Sequence, residues 1–144
     1  VIGVKIQAAK GLFFDRAKVT NATDRATRKV FSKFGAFVRQ RARSSIRKRK
    51  HSSSPGQPPT NKTGLLKKFI YFGYSPESRS VVIGAALLNK STAAQRILEH
   101  GETVDGERRG KRVRMKYEAR PYMQPAFVKE QSQLPALWRN AVRR

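Results

Sequence analysis

Apolar side chains fall at Ala22, Ala26, Val30, Phe34, Phe37/Val38, Ala42 and Ile46. Spacing of three to four residues gathers them on one stripe and predicts a long helix over 22–49, with Asp15 or Asn21 as candidate N-caps. A helix of that length spans about 40 Å. Arg25, Arg28, Lys29, Arg39, Arg43 and Arg47 lie mostly off the stripe. The last turn, Arg47-Lys-Arg-Lys50, places cations at the negative end of the helix dipole. Gly35 in mid-helix costs about 1 kcal/mol relative to Ala, which predicts close packing of another element there.

Elsewhere the period changes. Val4, Ile6 and Ala8 alternate with Lys5 and Gln7, a short strand ending near Gly11. Phe13-Phe14-Asp15 then opens the helical territory. After Thr63-Gly64, Leu65, Leu66, Phe69 and Ile70 suggest one helical turn entering a strand, Ile70–Tyr74. Ser75-Pro-Glu-Ser78 carries turn chemistry and Ser80–Gly84 returns, which makes a hairpin. Thr92–His100 predicts a short helix with Ala93, Ala94, Ile97 and Leu98 inward, stopped by Gly101. Residues 102–111 read as a charged, Gly-punctuated loop. Arg112–Tyr117 alternates, with Val113, Met115 and Tyr117 on one face of a further strand. Met123–Val142 is helical in pattern, tolerates Pro125 in its first turn, and should kink or split at Pro135. The expected fold is α+β: a long N-terminal helix on a small, mainly antiparallel sheet, a C-terminal helix, and an extended Pro-rich arm. All 144 residues form one domain.

Between the long helix and the hairpin, the pattern disappears. Seven of the twelve residues from Arg39 to Lys50 are basic and none is acidic. They run into His51-Ser-Ser-Ser-Pro-Gly-Gln-Pro-Pro-Thr-Asn-Lys-Thr63. This composition cannot build a core, so the arm 51–63 is expected to be disordered or held by something outside the monomer. Its prolines at 55, 58 and 59 restrict the unbound chain and lower the entropy lost on ordering.

Charge narrows the partners. With 32 Lys and Arg against 9 Asp and Glu, the net charge is +23. Residues 1–63 carry 16 basic and 2 acidic side chains, and residues 64–144 carry 16 and 7. The excess is therefore global, and it attracts polyanions or acidic protein surfaces. If 6–10 of these charges met phosphates, raising salt from about 50 to 200 mM would cost roughly 10³–10⁵ in affinity. With no cysteine, disulfides, thiolate nucleophiles and Cys-based zinc sites are excluded, which fits a reducing cytoplasm. No run reaches the length of a membrane span, and the opening apolar stretch is too short and interrupted for a signal peptide.

Catalytic patterns are missing. His51 lies in the arm and His100 at a helix end, neither with a second ligand at metal spacing. Glu99, Glu102, Asp105 and Glu107 crowd one stretch, yet they run into Arg108-Arg109 and read as charges balancing basic neighbours. There is no phosphate-cradling Gly loop and no nucleophile elbow. Phe69, Tyr71 and Phe72 near Lys67 and Lys68 match no stacking signature and read as hairpin core. Trp138 reads as packed against the sheet. No enzyme, metal or cofactor is expected.

Three segments in order carry a resemblance. They are Ala42-Arg-Ser-Ser-Ile-Arg47 leading to Ser54-Pro-Gly-Gln-Pro-Pro59 and Thr63-Gly-Leu-Leu66, then Leu98-Glu-His-Gly-Glu-Thr103, then Ala119-Arg-Pro-Tyr-Met-Gln-Pro-Ala126 with Leu137-Trp-Arg-Asn140. Together, over residues 15–142, they resemble the small tail-component proteins of long-tailed bacteriophages, encoded among the head–tail joining and tail-completion genes. The Glu-x-Gly-Thr element of relatives stands here as Glu99-His-Gly-Glu-Thr103, with a Glu inserted. The resemblance implies a non-catalytic virion protein, made in the host bacterial cytoplasm. It would form a homo-oligomeric ring, hexameric or dodecameric, at the neck or tail end. Its partners would be neighbouring neck and tail proteins and the DNA passing through the lumen, with no membrane.

The residues expected to meet neighbours are Arg39, Arg43, Arg47, Lys48, Arg49, Lys50, Pro55, Gly56, Pro58, Pro59, Arg120, Pro121 and Tyr122. Arg120 could anchor an acidic partner or hold a carboxylate of its own fold such as Glu99. The alternative function is nucleic-acid binding through the cationic helix end 39–50, with Arg43, Arg47, Lys48, Arg49 and Lys50 on phosphates.

Overall fold

The apolar stripe winds up one helix, α1 (Arg16–Ser45), in a computed structural model that describes residues 16–86 and 94–142. After α1 come α2 (Leu65–Lys68), β1 (Ile70–Ser75), β2 (Ser80–Ala85) and α3 (Ala94–His100). They are followed by β3 (Glu102–Arg108), β4 (Lys111–Tyr117), α4 (Met123–Gln131) and α5 (Leu134–Val142). The fold is α+β, as expected. The expected strand at Val4–Ala8, the Asp15 cap and the expected helix start at Thr92 lie outside the described residues.

Val30, Phe34, Val38, Ala42 and Ile46 are buried and form the spine of the core. Ile70 from β1, and Tyr122 and Ala126 near the start of α4, close over it. α1 is thus a mast with β1–β2 packed on one side and α4 and α5 on another. Phe34 meets Phe127 edge to face at 5.5 Å, and Phe31 meets Trp138 in the same way at 5.9 Å. Trp138 therefore packs on α1 and not on the sheet, because α5 lies along the mast.

Gly35 explains its own presence. A Cβ there would sit 2.7 Å from Phe72 Cδ2 and 2.9 Å from Val81 Cγ2. The inner face of β1–β2 comes down on the helix at that point, as the glycine predicts.

Both ends of α1 depart from expectation. The helix starts at least six residues early, so Asn21 lies inside it. It stops at Ser45, short of 49, where hydroxyls satisfy two of its last carbonyls: Ser44 Oγ donates to the Arg41 carbonyl and Ser45 Oγ to that of Ala42. The C-terminal segment divides as expected, though at Ser132–Gln133, so that Pro135 sits in the first turn of α5, where proline is tolerated.

The strands form two separate two-stranded antiparallel sheets, not one sheet. In β1–β2 the cross-strand pairs Ile70–Ala85, Phe72–Ile83 and Tyr74–Val81 share the face toward α1. In β3–β4, Glu102–Tyr117, Val104–Met115, Gly106–Val113 and Arg108–Lys111 share one face, and Thr103–Lys116, Asp105–Arg114 and Glu107–Arg112 the other. This second ribbon runs through 102–111, the stretch whose charge reads as a loop.

Candidate interaction surfaces

The expected arm is not an arm. Residues 51–63 fold back on the body, with Ser53 and Pro59 buried. The Gly56 amide donates to the Ala119 carbonyl at 2.8 Å, and Arg120 Nε to the Ser53 carbonyl at 3.0 Å. The Asn61 amide donates to the Arg47 carbonyl, and Thr60 Oγ1 to that of His51. The loop lacks its own core but borrows hydrogen-bond partners from a segment about sixty residues later in the chain.

At the same corner, Glu99 caps α4. Its Oε2 accepts from the amides of Tyr122 and Met123, and its Oε1 from that of Gln124, at 2.8–3.1 Å. These are orphan donors of a helix start, where a carboxylate is also favoured by the dipole. Arg120 therefore holds a loop carbonyl, not Glu99, and the carboxylate serves the helix instead. The Arg120 amide reaches the Leu98 carbonyl. Gly101, at φ +72°, ends α3 with its amide on the Ile97 carbonyl, and a Cβ there would meet Ala119 N and Tyr117 O at 2.9 Å. Arg47 with residues 53–61, Leu98–Gly101 and Ala119–Gln124 thus meet at one corner and are tied there by hydrogen bonds, whereas Trp138 lies against Phe31 further along α1.

The expected contact residues scatter around this corner. Arg39 is committed internally, its Nε donating to the Ile70 carbonyl at 2.8 Å. Tyr122 is 2% exposed, and burial, with the Glu99 charge second, pushes its phenol up to about 12. Tyr122 and Pro59 are core residues, because the chain packs over them. Pro58, Arg120 and Pro121 are half-buried, and Pro55 and Gly56 stay exposed. Arg43 is half-buried on α1, while Arg47, Lys48, Arg49 and Lys50 are exposed on the irregular segment beyond it. A helical ladder of Arg39, Arg43 and Arg47 along a phosphate backbone is therefore not formed. Arg47 to Lys50 keep a cationic surface without an ion-pair partner.

The sequence reading found β4, expected over Arg112–Tyr117, but missed β3 and with it the ribbon. Among the described residues, no other element makes an extensive contact with it. Val113 and Tyr117 are 39% and 43% exposed, with Val104 and Met115 beside them on the same face. At its tip stand Arg108, Arg109, Lys111 and Arg112, all exposed. Ribbon pairs such as Arg114–Asp105 lie further back. The signal was present: acids at 105 and 107 mirror bases at 114 and 112 about Arg109-Gly110. A second uncovered face is the outer side of β1–β2, where Tyr71 and Val82 stand beside Gly73 and Gly84. Tyr71 meets Phe69 edge to face there.

Among the described residues, no group of three His, Asp or Glu could hold a metal, and no helix is long and apolar enough to cross a membrane. The chain matches no protein-family model, no curated protein and no solved structure.

Proposed function

We propose that this chain is a structural subunit of the neck or tail end of a long-tailed phage, several copies of which close into a ring around the DNA passage. One observation carries the reading: two dissimilar sheet faces are left uncovered, the Val104, Val113, Met115 and Tyr117 face of β3–β4 and the Tyr71 and Val82 face of β1–β2. An isolated two-stranded hairpin is marginal in water, so the ribbon is completed by a neighbour. Contact between two different surfaces is heterologous, and heterologous contacts make a ring when the rotation between copies closes and a filament when it does not. The meeting of parts of the three phage-like segments, Arg47 with 53–61, Leu98–Gly101 and Ala119–Gln124, at one corner supports the reading further. Copies at +23 repel one another, and DNA in the lumen with acidic neck neighbours would offset that repulsion.

With the Pro-rich loop folded on the body, the ribbon takes over the role of reaching a neighbour, and of the four loop residues expected to do so Pro55 and Gly56 stay exposed. Cryo-electron microscopy of purified phage particles tests the proposal. The expected result is a ring of this chain at the neck or tail end, with the ribbon on the adjacent copy. Absence of the chain from purified particles refutes it.

A second reading, a free-standing nucleic-acid-binding protein, is favoured by the unpaired and exposed Arg47, Lys48, Arg49 and Lys50. It requires salt-sensitive binding by the monomer, with a slope of log K against log salt steeper than about −5. Reversing those four charges would abolish that binding. Negligible affinity near physiological salt disposes of it.

A further inference from the structure

We infer that the tip of the β3–β4 ribbon, residues 108–112, is a double-stranded DNA contact. The inference deepens the ring reading and rests on it only for the presence of DNA. Arg108, Arg109, Lys111 and Arg112 stand at the end of a ribbon roughly 20 Å long, and none has an ion-pair partner among the described residues. The only acid among residues 107–112 is Glu107, which lies across from Arg112 in the register.

The turn itself argues for an outward task. A two-residue loop joins Arg108 to Lys111, and both central residues are left-handed: Arg109 at φ +53° and Gly110 at φ +75°. That is the geometry of a type I′ turn, where Asn-Gly or Asp-Gly is the unstrained choice. A long cationic side chain in the left-handed region costs free energy, and here no side-chain hydrogen bond or ion pair among the described residues offsets it. Elsewhere in the chain the same strain has an internal explanation: Arg79, at φ +47° in the β1–β2 turn, reaches Asp24 at 3.1 Å. Arg109 faces solvent, and its strain places a guanidinium at the apex of the ribbon.

Shape selects the partner. A two-stranded ribbon fits the B-form major groove, about 12 Å wide, with its cations toward the flanking phosphates. The major groove of duplex RNA is deep and narrow and excludes it. The tip carries no aromatic residue to stack on unpaired bases, which argues against single strands. Phosphate contacts of this kind position without reading sequence, as a ring sliding on passing DNA requires.

The experiment measures binding of the full chain to a short duplex DNA, and to a duplex RNA of the same sequence, as salt rises from about 50 to 200 mM. The combined variant Arg108→Gln, Arg109→Asn, Lys111→Gln, Arg112→Gln is expected to make the log–log salt slope shallower by about 3.6. Its affinity near 100 mM salt is expected to fall on the order of a thousandfold. Arg109→Asn alone installs the favoured Asn-Gly turn, so its expected slope change of about 0.9 cannot come from misfolding. The matching substitution of Arg47, Lys48, Arg49 and Lys50 by Gln should change the slope by less than the tip variant. The inference is overturned if the helix-end variant has the larger effect, if RNA binds as tightly as DNA, or if the wild type does not bind DNA. Incorporation of the tip variant into particles is scored separately. Incorporation with lost DNA affinity supports the inference and leaves the ring standing, whereas failure of the wild type to appear in particles defeats the ring reading alone.

Discussion

The two β-ribbons of this protein share a plan and differ in what surrounds them. Each is a pair of antiparallel strands joined by a tight turn with a left-handed arginine. In β1–β2, one face is closed by α1, Ile70 is fully buried, Gly35 lets the sheet approach the helix, and Arg79 is paired with Asp24. In β3–β4, neither face is closed by another of the described elements, the apolar residues stay half-exposed, and the turn arginine has no ion-pair partner among the described residues. The difference teaches where stability lies. Strand pairing alone does not make an element part of the core. Coverage of one face does, and the uncovered ribbon with its unmatched charge is the feature on which the proposed contacts rest.

The largest expected break of this contrast is a truncation in each ribbon. Ile70→Ala should cost about 3–4 kcal/mol, since the residue is fully buried among Phe34, Val38 and Tyr122. Val113→Ala should cost less than about 0.5 kcal/mol, because its side chain is already 39% exposed. Urea denaturation of the two variants checks both values. Comparable losses would mean that β3–β4 belongs to the cooperative core after all.

Tyr122, close to the foot of the second ribbon, gives the next effect through pH. Its phenol is held neutral up to about 12 in the folded chain, against about 10 when unfolded. The folded state therefore binds the extra proton between those values. Its contribution is complete below pH 10 and is lost as pH rises toward 12, by about 3 kcal/mol. Tyr122→Phe should flatten that part of the stability–pH curve relative to wild type. An unchanged alkaline slope would show that the phenol is not desolvated.

Gly35→Ala probes the covered ribbon from the helix side. The added methyl gains about 1 kcal/mol of helix propensity but meets Phe72 and Val81 well inside contact distance, and overpacking costs about 1–3 kcal/mol. Net destabilisation of about 1 kcal/mol in urea is the expectation. A stabilised variant would mean that β1–β2 sits more loosely on α1 than its burial implies.

How far the sequence revealed this architecture depends on where each element finds its partners. The α1 stripe was legible because burial writes a 3.6-residue period directly into residue type, from Val30 to Ile46. The helix ends were not, since the hydroxyls of Ser44 and Ser45 meet the last carbonyls of α1 through side-chain bonds that hydropathy does not register. Residues 51–63 looked unsupported because their partners, Ala119 and Arg120, are remote in sequence. β3 was hidden by Gly106 and by acids that pair across the ribbon with Arg112 and Arg114, so its order is written in charge symmetry, not in apolar alternation. The candidate surface suffered accordingly: the exposed cations at 47–50 were visible from composition, whereas those at 108–112 acquired meaning only once the ribbon was formed.

The finest distinction between the ribbons lies in their turns. Arg79→Asn and Arg109→Asn each replace a strained left-handed arginine with a residue that tolerates the conformation, a gain of up to about 1 kcal/mol. Arg79→Asn also forfeits the exposed pair with Asp24, worth no more than about 1 kcal/mol, so its net effect should lie near zero. Arg109→Asn forfeits nothing inside the chain and should stabilise its ribbon by the full amount. If β3–β4 opens without the core, global unfolding will not register that gain, and amide hydrogen exchange of residues 102–117 is the measurement that does. Slower exchange there for Arg109→Asn, with unchanged exchange in 70–85 for Arg79→Asn, is the expected outcome. Faster exchange in 102–117 would mean that Arg109 has an internal partner, and would return the second ribbon to the same class as the first.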